Sequence, residues 1–321
     1  MDALKKRKGI KNFVVANNTY LILILLLIIC SFASENFLTL GNIVNICQQY
    51  AGTTIISIGM LFVILTGGID LSVGSVMAIG SVISAYGMVN MKIGILPSVL
   101  LSMVIGIVLG MITGFFVAKT KIAAFVATLA MMTIGKGIAY MVSRGAPITT
   151  ETGTISKLGT AKLLPFLTWL TVIAVIVVLI AWFVLNYTSY GRAVVAIGSN
   201  EEAVHLAGIN VIPYMISVYA ISGFCSAVGG VIATSRTGIG SPAVGSGIEL
   251  DCIAACVIGG ASLTGGVGTP IKTVVGVLIL ALIGNIMNLM AIPSYPQDII
   301  KGIIIILAVL LQQATSTALR N

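Results

Sequence analysis

Charged side chains are scarce in this chain: they make up 8% of its 321 residues, against about 25% in soluble domains. Apolar residues make up 58%, above the roughly 45–50% that is usual for soluble domains. So few charges cannot give a globular domain a water-soluble surface. The composition excludes a soluble enzyme or binding module and predicts an all-α polytopic membrane protein, because apolar helices satisfy their own backbone groups in lipid.

Histidine is almost absent from the sequence, and phosphate-binding loops and paired cysteines are missing. His205 is the single histidine, so a metal site lacks ligands and a catalytic serine or cysteine lacks a base. No GxxxxGK sequence followed by Ser or Thr is present, so no loop can cradle nucleotide phosphates. The sequence therefore predicts no enzyme activity, no metal and no cofactor in this chain. The five cysteines are expected to pack as small apolar residues: Cys30, Cys47, Cys225, Cys252 and Cys256.

Positive charge is concentrated before the first apolar run, where residues 5–11 hold five of the 17 cations. No basic stripe elsewhere is interleaved with aromatic residues, which argues against a nucleic-acid partner. The positive-inside rule puts the N-terminus in the cytoplasm, on the same side as Lys119, Lys121, Arg192 and Arg320. This charge distribution also favours retention of the first helix over its removal as a signal peptide.

Ten apolar runs are candidate membrane spans, which need about 20 helical residues each. The first, eighth and tenth runs are short, and short runs beside glycines are interpreted as half-helices or re-entrant segments. The prediction is therefore about ten transmembrane helices, with a range of eight to ten. The runs are 20–34, 43–66, 73–91, 95–118, 122–142, 165–185, 211–233, 250–262, 271–291 and 299–312.

The runs divide the chain into a transmembrane domain at 20–312 and two cytoplasmic tails, a basic one at 1–19 and a short one at 313–321. Two polar loops interrupt the transmembrane domain. By parity, the loop at 143–164 faces outward and the loop at 186–210 faces the cytoplasm. Loops carry recognition more often than helices do, so both are candidate partner surfaces.

Glycines spaced four residues apart mark a packing face in the fourth run. Gly106, Gly110 and Gly114 stack on one side of a helix and allow a neighbouring backbone to approach closely. The same packing role is predicted for Gly229, Gly230 and Gly276.

An internal repeat contains the one carboxylate that lies deep in the apolar sequence. Residues 67–74 read GGIDLSVG and residues 259–266 read GGASLTGG, so the two blocks follow GGxxLSxG and GGxxLTxG. Paired glycine interruptions are typical of transporters with broken helices. Two roles are open for Asp70: it caps the helix that begins near Ser72, or it lines the pathway. With all spans intact, both blocks face the cytoplasm.

Other polar residues near these breaks are candidates for the pathway or its gate. Glu249 and Asp251 are expected to open a helix at the outward side, where they compensate its dipole or contact solute. Asn285 and Asn288 share a helix face and either line the pore or bond across helices. The full predicted set is Gly67, Gly68, Asp70, Ser72, Gly74, Glu249, Asp251, Gly259, Gly260, Thr264, Gly266, Asn285 and Asn288.

The cytoplasmic loop contains a short helix with its own start and stop signals. Ser199 and Glu202 have the spacing of a capping box, and Gly208 is placed to end the helix in the left-handed conformation. The simple alternative is a capped surface helix without a partner. The predicted docking set is Ser199, Glu201, Glu202, His205, Gly208 and Asn210.

These residues resemble a known family. Glu202-Ala203-Val204 followed by Gly208 is similar to the coupling loop of ATP-binding-cassette (ABC) importer permeases, although Val204 stands where the fuller motif has Ala and the Leu-Pro after it is absent. GGIDLSVGS at 67–75, GxNxxAxxxxGI at 198–209 and ELDxIAAxVIGGxSLxGGxG at 249–268 extend the likeness to the ribose permease family. It runs from about residue 20 to 312, and the last block is the most specific.

The resemblance implies the fold and the partners of an importer permease. It implies a homodimeric pore in the bacterial inner membrane, a cytoplasmic subunit that holds ATP and Mg, and an extracytoplasmic binding protein that delivers ribose or a similar monosaccharide. Members of the same family for branched-chain amino acids, nucleosides or a furanone signal are alternatives. Two other classes stay open from the residues alone, an ion-coupled secondary transporter and a membrane scaffold.

Overall fold

A computed structural model of the chain describes residues 17–150, 155–293, 295–300, 302–304 and 306. Helices dominate these residues, which confirms the predicted class, and the strands form two small two-stranded sheets. The helices are α1 (Asn18–Ala33), α2 (Leu40–Leu65), α3 (Val73–Val89), α4 (Ile95–Thr120), α5 (Ala124–Val142), α6 (Ile155–Thr160), α7 (Trp169–Tyr187), α8 (Ser189–Ser199), α9 (Glu201–Leu206), α10 (Val211–Thr237), α11 (Ile248–Ile258) and α12 (Pro270–Leu289). The strands are β1 (Ile148–Thr149), β2 (Lys162–Leu164), β3 (Leu167–Thr168) and β4 (Ile239–Gly240).

Six of these helices are long and apolar enough to cross a membrane: α2, α4, α5, α7, α10 and α12. Two shorter apolar helices, α1 and α3, accompany them. The eighth predicted run contains α11, which is only 11 residues long. The tenth predicted run, 299–312, lies largely outside the described residues, as do the tails at 1–16 and 307–321. The exact number of spans therefore stays a prediction.

The two ends of the bundle are distinguished by what gathers there. At one end, called the α9 end, Lys121 after α4 pairs with Glu201 of α9, the two atoms lying 2.6 Å apart. Thr19, at the start of α1, donates to the carbonyl of Ile258 at the end of α11. The start of α1, the predicted cytoplasmic loop 186–210 and the residues after α11 therefore share this end.

The opposite end, called the β1 end, holds the loop 143–164. Strand β1 pairs antiparallel with β4, which follows α10. Gln48 in the first turns of α2 donates to the carbonyl of Gly159 in this loop. The loop predicted to face outward thus lies at the end opposite to α9.

Helix α10 occupies the centre of the bundle, packed between α2, α3 and α4, and its approach to α4 depends on glycine. A Cβ on Gly106 would lie 2.5 Å from the carbonyl oxygen of Gly223, and one on Gly110 would overlap the carbonyl of Tyr219. Gly114 packs in the same way against Ile216. The predicted glycine packing face is confirmed, and its partner is α10.

The other predicted packing glycines have the same role. Gly229 lies against Ile56 of α2, and Gly276 lies against the backbone of Ala255 in α11. Cys252 and Cys256 are fully buried beside carbonyl oxygens of α2 and are free thiols, as predicted. Small residues therefore set the spacing of the inner helices.

Candidate functional site

The chain reverses direction between α2 and α3, and Asp70 holds this reversal together. Gly67 adopts φ +78°, a conformation that side chains with a Cβ disfavour. Asp70 Oδ1 then accepts the backbone N–H of Ser72 at 2.9 Å and also its hydroxyl. An aspartate that bonds the backbone two residues ahead forms an Asx turn, which starts α3.

The second oxygen of Asp70 reaches another helix. Oδ2 accepts the hydroxyl of Ser222 at 2.7 Å, and Ser222 lies near the middle of α10. Asp70 is 2% exposed, so its carboxylate is closed to solute in this conformation. The predicted capping of α3 by Asp70 is not observed, because Ser72 is the N-cap residue and its side chain makes no capping hydrogen bond; Asp70 instead holds the turn that precedes the helix.

A tyrosine missed by the sequence analysis lies beside this turn. A Cβ on Gly68 would lie 2.5 Å from the hydroxyl of Tyr219, which is why position 68 takes no side chain. The Tyr219 hydroxyl is buried and has no hydrogen-bond partner among the described residues. Tyr219 follows Asp70 by 149 residues in the sequence, and no local pattern links it to the glycine block.

The two glycine blocks meet at the α9 end. The N–H of Gly266 donates to the carbonyl of Leu65 at the end of α2, at 2.9 Å. A Cβ on Gly265 would lie 2.7 Å from the carbonyl oxygen of Gly198 and 2.9 Å from the nitrogen of Gly67. We call Leu65, Gly67, Gly198, Gly265 and Gly266 the glycine junction. The expectation that both blocks lie on one side of the membrane domain agrees with this contact.

The glycine junction includes the end of α8, the helix that precedes α9. Gly198 is in the last turn of α8, where a Cβ would overlap the carbonyl of Leu65. Helix α8 is fixed to α10 by Tyr190, whose ring stacks on Tyr214 and whose hydroxyl bonds Ser217 at 2.7 Å. Burial raises the pKa of this hydroxyl. The end of α2, the loop after α11 and the end of α8 therefore contact each other through main-chain atoms.

Helix α9 begins one residue later than predicted. Ser199 is the last residue of α8 and donates its hydroxyl to the carbonyl of Val195. The N-cap is Asn200, whose Oδ1 accepts the N–H of Ala203 at 2.9 Å. The predicted capping box of Ser199 with Glu202 is therefore wrong, because Ser199 is already the last residue of α8.

The predicted stop signal is confirmed. Gly208 has φ +83° and donates its N–H to His205, and the N–H of Ile209 donates to Val204. This pair of bonds is a Schellman motif, which satisfies the last carbonyls of a helix. Asn210 then caps the next helix, since its Oδ1 accepts the N–H of Ile212.

Most of α9 faces away from the bundle. Val204 is buried against Ile197 and Val211 and anchors the helix. Leu206 is 81% exposed. Exposed residues of this helix and its end form the α9 surface, which consists of Glu201, Glu202, Ala203, His205, Leu206 and Gly208. Leu206 is therefore an apolar side chain that projects from a polar surface.

Helix α11 starts inside the bundle rather than at its outward end. Residues 241–247 turn inward from β4, and Gly247, with φ +83°, is the N-cap of α11. Gly245 contacts the backbone of Gly74 in the first turn of α3, near the level of Asp70. The outward position predicted for Glu249 and Asp251 is therefore wrong, although both lie in the first turn, as expected for dipole compensation.

The remaining candidates in the second block have structural partners. A Cβ on Gly259 would lie 2.5 Å from the carbonyl oxygen of Lys272. Thr264 bonds Ser262 side chain to side chain at 2.7 Å. Gly260 has φ +85° and open space around it, so its need for glycine comes from the backbone alone.

The two asparagines of α12 bond across the fold. Asn285 and Asn42 exchange two amide hydrogen bonds, at 2.8 and 3.0 Å, which join α12 to α2. Asn288 accepts a hydrogen bond from Gln297. Of the two roles considered for this pair, the described contacts are those of bonding between segments.

Comparison with known proteins gives the family. Residues 42–309 match the family described as the permease component of branched-chain amino acid transport systems. The chain is 41% identical to the ribose import permease RbsC of Haemophilus influenzae, with 94% of each chain covered. It is 42% identical to RbsC of Bacillus subtilis, with 92% of each covered, and 40% identical to the L-arabinose permease AraH of Escherichia coli, with 92% of this chain and 90% of that protein covered. No solved structure matches. The chain therefore belongs to the family of branched-chain amino acid transport permeases, together with these ribose and arabinose permeases.

Proposed function

We propose that the chain is the membrane-spanning subunit of an ABC importer and that it carries ribose or a similar monosaccharide across the bacterial inner membrane. The observation that carries this proposal is the likeness to named ribose permeases along 92–94% of the chain. A homodimer, a cytoplasmic ATP-binding subunit with ATP and Mg, and an extracytoplasmic binding protein complete the transporter. The arabinose permease at 40% identity supports a pentose as the class of solute.

The α9 end is the cytoplasmic end in this proposal. Helix α1 starts there, directly after the basic stretch of the sequence, and the positive-inside rule assigns such an end to the cytoplasm. Lys119, Lys121 and Arg192 belong to the same end of the bundle. The Lys121–Glu201 pair joins the residue after α4 to α9 there. The loop 143–164 at the β1 end then faces the binding protein.

The α9 surface is the docking site for the ATPase. It combines two carboxylates, one imidazole and the exposed Leu206 on a helix that Val204 anchors firmly to the bundle. An anchored helix with an exposed side suits rigid-body movement against a groove on a partner.

Movement of α9 reaches the membrane domain through the glycine junction. Gly198 lies in the last turn of α8, the helix that precedes α9. It contacts Leu65 of α2 and Gly265 after α11 without any intervening side chain. Main-chain contacts this close transmit displacement, since neither partner has rotamers to absorb it. The loop that leaves α2 at the junction leads to Asp70, which joins α3 to α10. We assign the two glycine blocks to the inner gate on these grounds.

Reconstituted transport tests the function. Proteoliposomes that contain the permease and its ATPase, with ATP on the ATPase side and a ribose-loaded binding protein on the other, are expected to accumulate labelled ribose. Gly208→Val is expected to abolish stimulated ATP hydrolysis and uptake, because valine disfavours the left-handed conformation that ends α9. Gly208→Asn is the matched control, since asparagine adopts this conformation and should retain most activity.

Other outcomes overturn parts of the proposal. Ribose uptake driven by a proton gradient without ATPase would identify a secondary transporter. Wild-type hydrolysis and uptake by Gly208→Val would remove α9 from coupling. Uptake of L-arabinose or leucine with no uptake of ribose, each offered with its own binding protein, would replace the proposed solute.

A further inference from the structure

A cavity of about 130 Å³ lies at the start of α3, outside the glycine junction. Its walls come from α3, from α5 and from the inward segment that precedes α11. Its volume is far larger than the roughly 10–15 Å³ that one water molecule needs. Among its lining residues are Gly74, Lys136, Tyr140, Ala243 and Ser246. The sequence analysis assigned no function to Lys136, Tyr140 or Ser246.

Helix α5 presents an exposed polar stripe that leads to this cavity. Thr133, Lys136 and Tyr140 are spaced by three and four residues and share one face, and all three are exposed. Arg144, two residues after the helix, is exposed at the β1 end. The stripe therefore connects the cavity with the end of the bundle that faces the binding protein in the proposed orientation.

A lysine in this position needs water or a polar partner. Lys136 lies more than one turn from either end of α5, a helix apolar enough to span a membrane. Among the described residues it forms no ion pair. A lysine at the centre of a span that faces lipid costs about 2.5–3.5 kcal/mol. Because its side chain lines a cavity, an aqueous path beside α5 removes this cost.

The opposite charge lies close to the same cavity. Glu249 Oε2 is 2.6 Å from where a Cβ on Gly74 would lie, and Gly74 lines the cavity. Lys136 and Glu249 form no ion pair with each other, so their separation exceeds 4.0 Å. The Lys136 ammonium, the Tyr140 phenol and the Ser246 hydroxyl therefore line one small volume, and the carboxylate of Glu249 lies next to it, beside Gly74.

We propose that this cavity is a binding site for the monosaccharide during its passage through the permease. The residues that contact the sugar are Lys136, Tyr140, Ser246 and Glu249. The inference rests on the proposed transport function and names the solute site within it. Sugar hydroxyls donate and accept, so one molecule satisfies the ammonium and the carboxylate together. The aromatic ring of Tyr140 offers an apolar face to the C–H side of a sugar ring.

A zwitterionic amino acid is the competing occupant, because its two charges also complement Lys136 and Glu249. The sugar is favoured because the relatives that are 40–42% identical over nine tenths of the chain are named for ribose and arabinose. Both solutes are compared directly in the test below.

Accessibility measurements test the site without relying on transport. In a Cys47→Ser background the other native thiols are buried, so introduced cysteines report their own surroundings. Ser246→Cys is expected to react with a charged, membrane-impermeant methanethiosulfonate reagent. Leu179→Cys is the control: it lies near the middle of α7, a helix apolar enough to span a membrane, and is 57% exposed, yet in lipid its thiol does not form the reactive thiolate. Millimolar ribose is expected to slow labelling of Ser246→Cys at least threefold.

Transport by charge variants gives the second readout. Lys136→Met is expected to reduce ribose uptake at least tenfold in the complete transporter. Lys92→Met, which removes the same charge from an exposed loop position outside the cavity, should transport normally. Stimulation of ATP hydrolysis by the binding protein should persist in both variants, since neither lies on the α9 surface.

The outcomes separate this inference from the function it rests on. Absence of ribose uptake by the wild-type transporter refutes the proposed function. Normal uptake by Lys136→Met, or equal labelling of Ser246→Cys and Leu179→Cys, refutes the binding site while the proposed function stands. Protection of Ser246→Cys by leucine but not by ribose refutes the sugar as its occupant.

Discussion

Replacement of Asp70 tests the link between the first glycine block and the centre of the bundle. Asp70→Ala removes three hydrogen bonds, two from Ser72 and one from Ser222. The orphaned N–H of Ser72 is buried and costs about 1–3 kcal/mol, and each lost hydroxyl bond costs about 0.5–1.5 kcal/mol. The expected destabilisation is therefore about 2–6 kcal/mol, near the size that marks a specific structural defect.

Two milder variants grade the same site. Asp70→Asn retains Oδ1 for both bonds from Ser72, and its amide can donate to the Ser222 oxygen, so its cost is expected to be about 1 kcal/mol. Ser222→Ala removes one of three partners from a carboxylate and is expected to cost about 1.5–3 kcal/mol. The predicted order of stability is wild type, Asp70→Asn, Ser222→Ala, Asp70→Ala.

Equilibrium unfolding in mixed micelles, followed by tryptophan fluorescence, measures these free energies. A double-mutant cycle with Asp70→Ala and Ser222→Ala isolates the pair, because each change removes the hydrogen bond, and should give a coupling of about 0.5–3 kcal/mol. A coupling of zero, or an Asp70→Ala variant as stable as the wild type, would falsify the assignment of Asp70 as the link between α3 and α10.

Three further predictions use matched pairs or a single exposed contact. Gly110→Val is expected to destabilise the protein by several kcal/mol, because its Cβ meets the backbone of Tyr219, whereas Gly137→Val has open space and should cost about 1 kcal/mol or less; thermal unfolding in detergent compares them. Gly265→Ala is expected to lose coupled ATP hydrolysis, whereas Gly260→Ala carries the same left-handed strain without contacts and should retain it. Lys121→Ala removes an exposed ion pair and should change the unfolding free energy by less than about 1 kcal/mol.

Local patterns in the sequence predicted local structure well. The face of Gly106, Gly110 and Gly114 is fixed by helical periodicity, so it was identified without knowledge of α10 as the partner. Gly208 was placed correctly because a helix stop is a single-residue conformation. The N-cap of α9 was assigned one residue too early, because Ser199 and Asn200 are both good caps and only the end of α8 decides between them.

Contacts between distant segments were not predictable from patterns. Ser222 and Tyr219 resemble any small polar or aromatic residue of a helix, and nothing in α10 points to a turn some 150 residues earlier. The inward course of residues 241–247 was missed for the same reason: a short apolar run looks alike whether it starts at the surface or inside the bundle. The Lys121–Glu201 pair joins the residue after α4 to α9, and their proximity follows from the fold alone.

The main-chain nature of the glycine junction separates two evolutionary demands on the protein. Backbone carbonyls and N–H groups are the same whatever side chains surround them, so the contacts of Gly198 and Gly266 with Leu65, and of Gly265 with Gly198, do not depend on the residues of the α9 surface. Under the proposed function, Glu202, His205 and Leu206 can therefore change together with the ATPase. The main-chain contacts that carry the movement to the proposed gate would stay the same.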